Sequence, residues 1–254
     1  VLYRKPKPFE ISSFITNQTF RKFAFKECMA TWEGLEYLLS SCLWVNHPYR
    51  IKRAENKLYQ YQIAKKVGLD IPLTLVTNDP KRAKDFCEMC LEKKSGVVVK
   101  VLNHSNTPGL LTRKITSHEL KEIEVIRYAP CFFQEYVEKA YELRITVVGK
   151  QIFAAEIHSQ KMEKTKVDWR NYIEIDEIPH FPHNLPQDIS LKCQSLLKEM
   201  GLIFGAIDMI YTPDKRYVFL EINANGQWLW IERLTGLQVT KAIAELLITG
   251  KEGL

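Results

Sequence analysis

The chain has 254 residues, 46% hydrophobic and 26% charged, with a formal net charge of +6. Such values suit a globular protein of one large domain or two lobes, and no apolar run approaches the roughly 18 residues of a membrane span. Lys and Arg are spread along the length without a basic block, which argues against nucleic acid and suits an anionic small molecule or an acidic peptide.

No signal peptide heads the chain. Val1-Leu2-Tyr3-Arg4 reads as the end of a strand, so an N-terminal portion is expected to precede it. A helical pattern follows over 53–67, with Leu58, Tyr61 and Ala64 on one stripe and Gly68 as its stop. Residues 71–76 read as a short strand. Asp79-Pro80 is an N-cap with proline at the first helical position, and the helix after it points Ala83, Phe86, Cys87, Cys90 and Leu91 inward. Cys87-x-x-Cys90 falls on that apolar face, which favours core packing over redox or metal chemistry. A buried-type strand over 97–101 contains Lys100. A polar loop, 104–109, and a strand over 110–115 come next.

Residues 131–137 form another expected strand, and 142–148 with 151–157 a hairpin turned by Gly149-Lys150. His180-Phe-Pro-His183 reads as loop. The clearest helix is 188–200, with Ile189, Cys193, Leu196, Leu197 and Met200 on one face and Gly201 at its end. Strands over 203–211 and 216–223 are joined by residues 212–215, and a helix over 239–248 closes the chain. The mixture is α+β in two lobes, with a boundary near 137–141. Six cysteines without a disulfide pattern suit a reducing cytoplasm.

The last hairpin carries the chemistry. By simple alternation Val218, Leu220 and Ile222 point one way and Phe219, Glu221 and Asn223 the other. A charge in an apolar strand costs several kcal/mol unless something pairs with it. Asp208, in the apolar partner strand, is expected about opposite Leu220–Glu221. Two carboxylates and an amide, without Cys or His, describe Mg²⁺ or Mn²⁺ rather than zinc. Magnesium with few protein ligands commonly has phosphate for the others, and Lys100, Arg144 and Arg170 are the candidate cations. Taken singly, each is an ordinary solvated cap or cross-strand partner; together with the acidic hairpin they indicate a site. Trp228 and Trp230 are either core packing or substrate-facing.

The ordered series Lys100, Gln134-Glu135-Tyr136-Val137, Glu142-x-Arg144, Asp168-x-Arg170-Asn171, Asp208 and Glu221-x-Asn223 resembles the ATP-grasp carboxylate–amine ligases over about residues 52–250. One glycine in the 104–109 loop and no arginine near His158-Ser159-Gln160 depart from the RimK-type glutamate ligases. Val1-Leu-Tyr-Arg-Lys-Pro, Trp44-Val-Asn-His-Pro48, Asn56-Lys57 and Asn223-Ala-Asn-Gly-Gln-Trp-Leu-Trp are more similar to the microviridin-type (graspetide) ligases, which crosslink ribosomal peptides.

That resemblance implies an ATP-grasp fold: residues 1–50 as the end of a pre-ATP-grasp domain, 51–137 as a central lobe and 138–254 as a C-terminal lobe. The two lobes would clamp ATP. It implies Lys100 at the phosphates, Gln134, Glu135, Tyr136 and Val137 at the hinge reading adenine, and Glu142 at the ribose. Arg144 and Arg170, with Asn171, would face the γ-phosphate and an acyl phosphate; Asp208, Glu221 and Asn223 would hold Mg²⁺. The implied partner is a ribosomal precursor peptide with a leader and an acidic core, with no nucleic acid and no membrane, and a homodimer is left open. The implied activity is ω-ester or ω-amide macrocyclisation in the cytoplasm. A RimK-like ligase adding an amino acid or small amine, or a non-catalytic peptide-binding module, are the alternatives.

Overall fold

The computed structural model describes residues 1–102, 112–161, 167 and 177–250. Eight α-helices and nine strands are present among the described residues, and the strands form two antiparallel sheets. Among those residues no helix is long and apolar enough to cross a membrane.

The sequence-expected helix over 53–67 is two helices, α1 aside: α1 (Gln18–Leu38) comes first, then α2 (Pro48–Ala54) and α3 (Lys57–Lys66). Asn56 causes the break. Its side chain accepts from the Tyr59 N–H at 3.0 Å, which starts a new helix rather than continuing the old one. The new start turns the buried face of α3: Tyr61 and Ala64 are buried as expected, but Lys57 and Gln60 are buried too, and Leu58 is exposed. Apolar periodicity misses this because the face is chosen by polar side chains with distant partners.

A four-stranded sheet has the order β1-β4-β2-β3, built from β1 (Thr74–Thr77), β2 (Gly96–Lys100), β3 (Arg113–Lys114) and β4 (Cys131–Tyr136). The first strand starts later than the expected 71–76, and residues 103–111 lie outside the described ones. Helix α4 (Pro80–Glu92), capped by Asp79, covers this sheet with Ala83, Phe86, Cys87 and Cys90. Leu91, expected inward, is exposed. Both thiols are free and packed, and burial pushes Cys87 up to about 11. A short α5 (Ser117–Lys121) and a 3-10 helix (Ile123–Tyr128) complete this layer.

The five-stranded sheet has the order β7-β6-β5-β8-β9, from β5 (Tyr141–Val148), β6 (Gln151–Ile157), β7 (His180–His183), β8 (Phe204–Tyr211) and β9 (Tyr217–Asn223). The expected loop at His180–His183 is therefore a strand. Pro182 is tolerated there because β7 lies at the sheet edge, where a missing N–H costs no ladder bond. Helices α2, α3 and α6 (Gln187–Met200) pack on one face of this sheet, around Leu143, Ile145, Ile207, Met209, Phe219 and Ile222. Fully burying each such side chain stabilises by about 1.5–3 kcal/mol. Helix α8 (Val239–Thr249) packs in a second cluster with Val148, Phe204 and Trp228. Between them α7 (Leu229–Thr235) is a helix absent from the sequence expectation.

Asn46, buried in the segment before α2, ties the pieces together. Its Oδ1 accepts from the N–H groups of Ile203 and Phe204, and its Nδ2 donates to the carbonyls of Phe204 and Ala224, all within 3.1 Å. Those four bonds use the amide's full capacity.

Candidate functional site

The hairpin β8–β9 does not alternate simply. Asp208 pairs with Glu221 and Met209 with Phe219, so Leu220 is an extra residue, a β-bulge. The expected grouping of Phe219 with Glu221 is thereby overturned: Phe219 and Ile222 both enter the core, while Glu221 turns to the opposite face. The bulge is what allows a carboxylate inside an otherwise apolar strand.

Cross-strand pairing then lays out the site in rows. Arg144, Asp208 and Glu221 are one row across β5, β8 and β9. Thr146, Ala206 and Asn223 form the next row, and Glu142 with Ile210 and Val218 the row on the other side. Glu142, Arg144, Asp208, Glu221 and Asn223 thus share the face opposite the core. Successive rows lie about 6.7 Å apart along the strands.

The two central carboxylates are each met by a cation. The Arg144 guanidinium donates through Nη1 to both Asp208 oxygens at 2.9 and 2.8 Å, and through Nη2 to the Gln227 carbonyl at 3.3 Å. Lys57, only 6% exposed, reaches Glu221 at 2.6 Å. Sequence reasoning quoted Lys57 without giving it a role. Its signal is its place at the first turn of α3, directly after the capping Asn56. Glu142 is buried and held by Lys139 and Ser159. Arg144 Nε and Thr146 Oγ1 are buried without a hydrogen-bond partner.

Helix α3 also seals β9, the sheet edge. Gln60 bonds both the N–H and the carbonyl of Ile222, at 3.0 and 2.9 Å, and the Phe219 N–H donates to the Asp70 carbonyl at 2.8 Å. Tyr61 donates its hydroxyl to the carbonyl of the bulged Leu220 at 2.7 Å, and burial raises its pKa well above the ordinary tyrosine value. Gln134, a sequence candidate on β4, donates to that same Tyr61 oxygen at 2.7 Å and to Thr74 at 3.0 Å. Its side chain is fully buried, a strut between the sheets; its neighbours Glu135, Tyr136 and Val137 are half-buried at the strand end. Lys114 sits over the Tyr136 ring at 3.5 Å, and burial raises that phenol's pKa. Lys100 ends β2, paired with Phe132. Arg170 and Asn171, with Asp168 and the 104–109 loop, lie outside the described residues.

Beyond Asn223 the chain makes a tight turn. Asn223 accepts from the Asn225 N–H at 2.9 Å through its side chain and from the Gly226 N–H at 3.1 Å through its carbonyl. A Cβ on Gly226 would lie 2.4 Å from Ala206 Cβ and 2.8 Å from Arg144 Nη2. Trp228 is buried against Phe204 and donates to Thr240, so it is core; Trp230 lies edge-on to His180. Their apparent period of two belongs to the start of α7, not to a strand.

The donor set fits a hard divalent cation, because Asp208, Glu221 and Asn223 supply only oxygen from adjacent rows of one face. The glycine turn closes tightly over Arg144, whose buried Nε has no hydrogen-bond partner among the described residues.

A model of the RimK-like ATP-grasp domain matches residues 54–247. The chain is similar to a probable alpha-L-glutamate ligase 1 of Shewanella oneidensis, 24% identical over 206 residues, covering 80% of this chain and 66% of that protein. It is similar to a ribosomal protein bS6–L-glutamate ligase of Escherichia coli at 23% identity, covering 77% of this chain and 64% of that one. The chain thus spans just under two thirds of the length of these curated relatives.

Among solved structures it is similar to macrocyclase MdnC of Microcystis aeruginosa bound with precursor peptide MdnA, at a TM-score of 0.80 and 34% identity over 97% of this chain and 77% of that one. A Chryseobacterium gregarium RiPP-associated ATP-grasp ligase, in complex with ADP and a leader and core peptide, gives 0.80 and 34% over 94% and 73%.

Proposed function

This chain belongs to the RimK-like ATP-grasp family of ligases, and from that premise we infer that it is an ATP-dependent peptide macrocyclase. It would join Asp or Glu side chains of a ribosomal precursor peptide to Ser/Thr hydroxyls or Lys amines, as ω-esters or ω-amides, in the cytoplasm. The observation that carries the reading is the 34% identity with a peptide-bound macrocyclase over 97% of the chain, against 24% with glutamate ligases.

A carboxylate is a poor acyl donor because its leaving group would be an oxide. One carboxylate oxygen therefore attacks the γ-phosphorus of ATP, the bond to ADP breaks, and a mixed anhydride forms. The hydroxyl or amine then attacks its carbonyl carbon, loses its proton, and expels phosphate. Phosphoryl transfer is mostly positioning and charge neutralisation. Mg²⁺, or Mn²⁺, held by Asp208, Glu221 and Asn223, would supply charge neutralisation at the phosphates. Lys57 and Arg144 hold Glu221 and Asp208 on the site face, and Arg144 keeps donors beside the glycine turn. Lys100, Glu142 and the hinge backbone at Glu135 to Val137, backed by the buried Gln134, would hold the nucleotide, and Arg170 with Asn171 would face the γ-phosphate and the acyl phosphate. Losing one charge-stabilising contact in such a site costs about 3 kcal/mol, or about a hundredfold in rate.

A glutamate ligase is the second reading, favoured by the family model and the curated relatives. Mass spectrometry of a cognate precursor with enzyme, ATP, Mg²⁺ and free glutamate separates them. A macrocyclase removes one water mass per link and releases one ADP for each; a glutamate ligase adds mass. An unchanged peptide counts against the macrocyclase. Asp208→Asn should abolish ligation while peptide binding survives.

A further inference from the structure

Among the described residues Arg4 and Lys5 of the N-terminal segment form no ion pair with a carboxylate, and Arg4 grips the same turn as a third cation, Arg144. Arg4 Nη1 donates to Asn225 Oδ1 at 2.7 Å, and its guanidinium lies 4.6 Å over the Trp228 ring. Its partners are an amide, a carbonyl and an indole, all neutral. Lys5 follows, with φ at +39°, a strained value for a residue with a side chain. Arg144 is the third cation, and its counter-ion is Asp208, a proposed metal ligand.

The three charges feel one another. Arg4 has its pKa lowered by burial and by Arg144, and Lys5 has its pKa lowered by burial, Arg4 and Arg144. Like charges held together carry a cost unless an anion joins them. The turn between them is gripped from both sides: Arg144 bonds Gln227 from the sheet floor, and Arg4 bonds Asn225 from the N-terminal segment.

The row order tells which anion belongs there. Glu142 marks one end of the site face, the Arg144–Asp208–Glu221 row the middle, and Asn223 the far end. Arg4 grips the turn just past Asn223. If the sugar lies at Glu142 and the phosphates at the metal row, the next group along the strands is the carboxylate that takes the γ-phosphoryl group.

We propose that Arg4 and Lys5 complete, with Arg144, a subsite for the side-chain carboxylate of the peptide to be activated, placed at the Asn223 end of the metal row. The subsite presupposes the ligase reading above. Arg4 does two things in it: it presents charge to the peptide carboxylate, and it holds the Asn223–Trp228 turn against Trp228. Lys5 adds charge alone. The net +6 of the chain favours an acidic segment over a basic one.

The test uses the full chain loaded with ADP and Mg²⁺, and two labelled peptides, one Gly/Ser-rich with three Glu and one with Gln in their place. Calorimetry measures ADP·Mg²⁺ uptake, and fluorescence anisotropy measures the peptides. Wild type should bind the Glu peptide at least tenfold more tightly than the Gln peptide. Arg4→Gln with Lys5→Gln should lose about tenfold for the Glu peptide, as expected for removing charge-assisted hydrogen bonds. Lys5→Gln alone, which leaves the Arg4–Asn225 bond in place, should lose about threefold, with ADP·Mg²⁺ affinity within twofold of wild type.

Arg4→Lys should recover part of that loss, and Lys5→Gln, at an exposed position, should keep the wild-type Tm. Equal affinity for the two peptides, or no change in the double variant, overturns the subsite. A parallel loss of ADP·Mg²⁺ affinity in Lys5→Gln would assign the cations to phosphate instead and overturn the subsite. Wild type that takes up no ADP·Mg²⁺ would fail the ligase reading itself, a separate outcome.

Discussion

Gly226→Ala tests the geometry most sharply. The backbone there has an ordinary φ, so a side chain is opposed by space and not by conformation. The added methyl would lie 2.4 Å from Ala206 Cβ, against the roughly 3.5–4.0 Å of a carbon–carbon contact. Ala206 cannot yield, since it is fully buried and paired with both Thr146 and Asn223. The turn from Asn223 to Trp228 must therefore lift by about 1 Å, which lengthens the Arg144–Gln227 bond from 3.3 Å beyond hydrogen-bond range.

Overpacking of this kind costs about 1–3 kcal/mol, or about 4–8 °C in Tm for a middle value in a chain of this length. A 1 Å misplacement of site groups costs about a hundredfold in rate. Thermal unfolding and calorimetry with ADP·Mg²⁺ give the two readouts. Ala206→Gly in the same chain removes the struck methyl, so the double variant should regain at least half of the lost stability despite about 1 kcal/mol for a glycine in a strand. A Gly226→Ala protein with wild-type Tm and wild-type nucleotide affinity, or an absence of coupling to position 206, would refute the packing described.

Two further outcomes follow from buried charge. Lys57→Met deprives Glu221 of its 2.6 Å partner at a nearly buried position, and urea unfolding should register a loss of about 3 kcal/mol, largely recovered when Glu221→Gln is added. A single variant within 0.5 kcal/mol of wild type, on the order of an ordinary surface change, would mean that the pair contributes little. Glu156 is bonded by His183 at 2.7 Å and His158 at 2.8 Å, and although burial works against it, those bonds hold its carboxyl below the ordinary value of 4.5. Its contribution is therefore present above about pH 4.5 and fades as pH falls through the lower folded value. Glu156→Gln should cost about 1–2 kcal/mol at pH 6, and the gap to wild type should narrow as pH falls below 4.5; a gap that does not depend on pH would contradict the assignment.

Much of this was legible from residue order alone. Gly201 at φ +67° stops α6, and the face Ile189, Cys193, Leu196, Leu197 and Met200 is buried as its 3.6-residue spacing requires. Asp79 caps α4, and Gly149-Lys150 turns the β5–β6 hairpin. The oxygen donors Asp208, Glu221 and Asn223 stood out because charge and amide are costly in apolar strands.

Other features had no local signature. The helix α1 has no buried residue, so the apolar residues Phe25, Met29, Trp32 and Leu35 spaced along it mark no core face. The strand at His180–His183 exists because β6 offers it an edge. The Leu220 bulge reverses which face Glu221 takes, and Lys57, 164 positions away, arrives to meet it. Periodicity and capping act within a few residues, so the chain specifies them by itself. Register, bulges and buried ion pairs depend on segments that meet only when the whole molecule closes, and there the tertiary structure chooses the face on which a charge comes to rest.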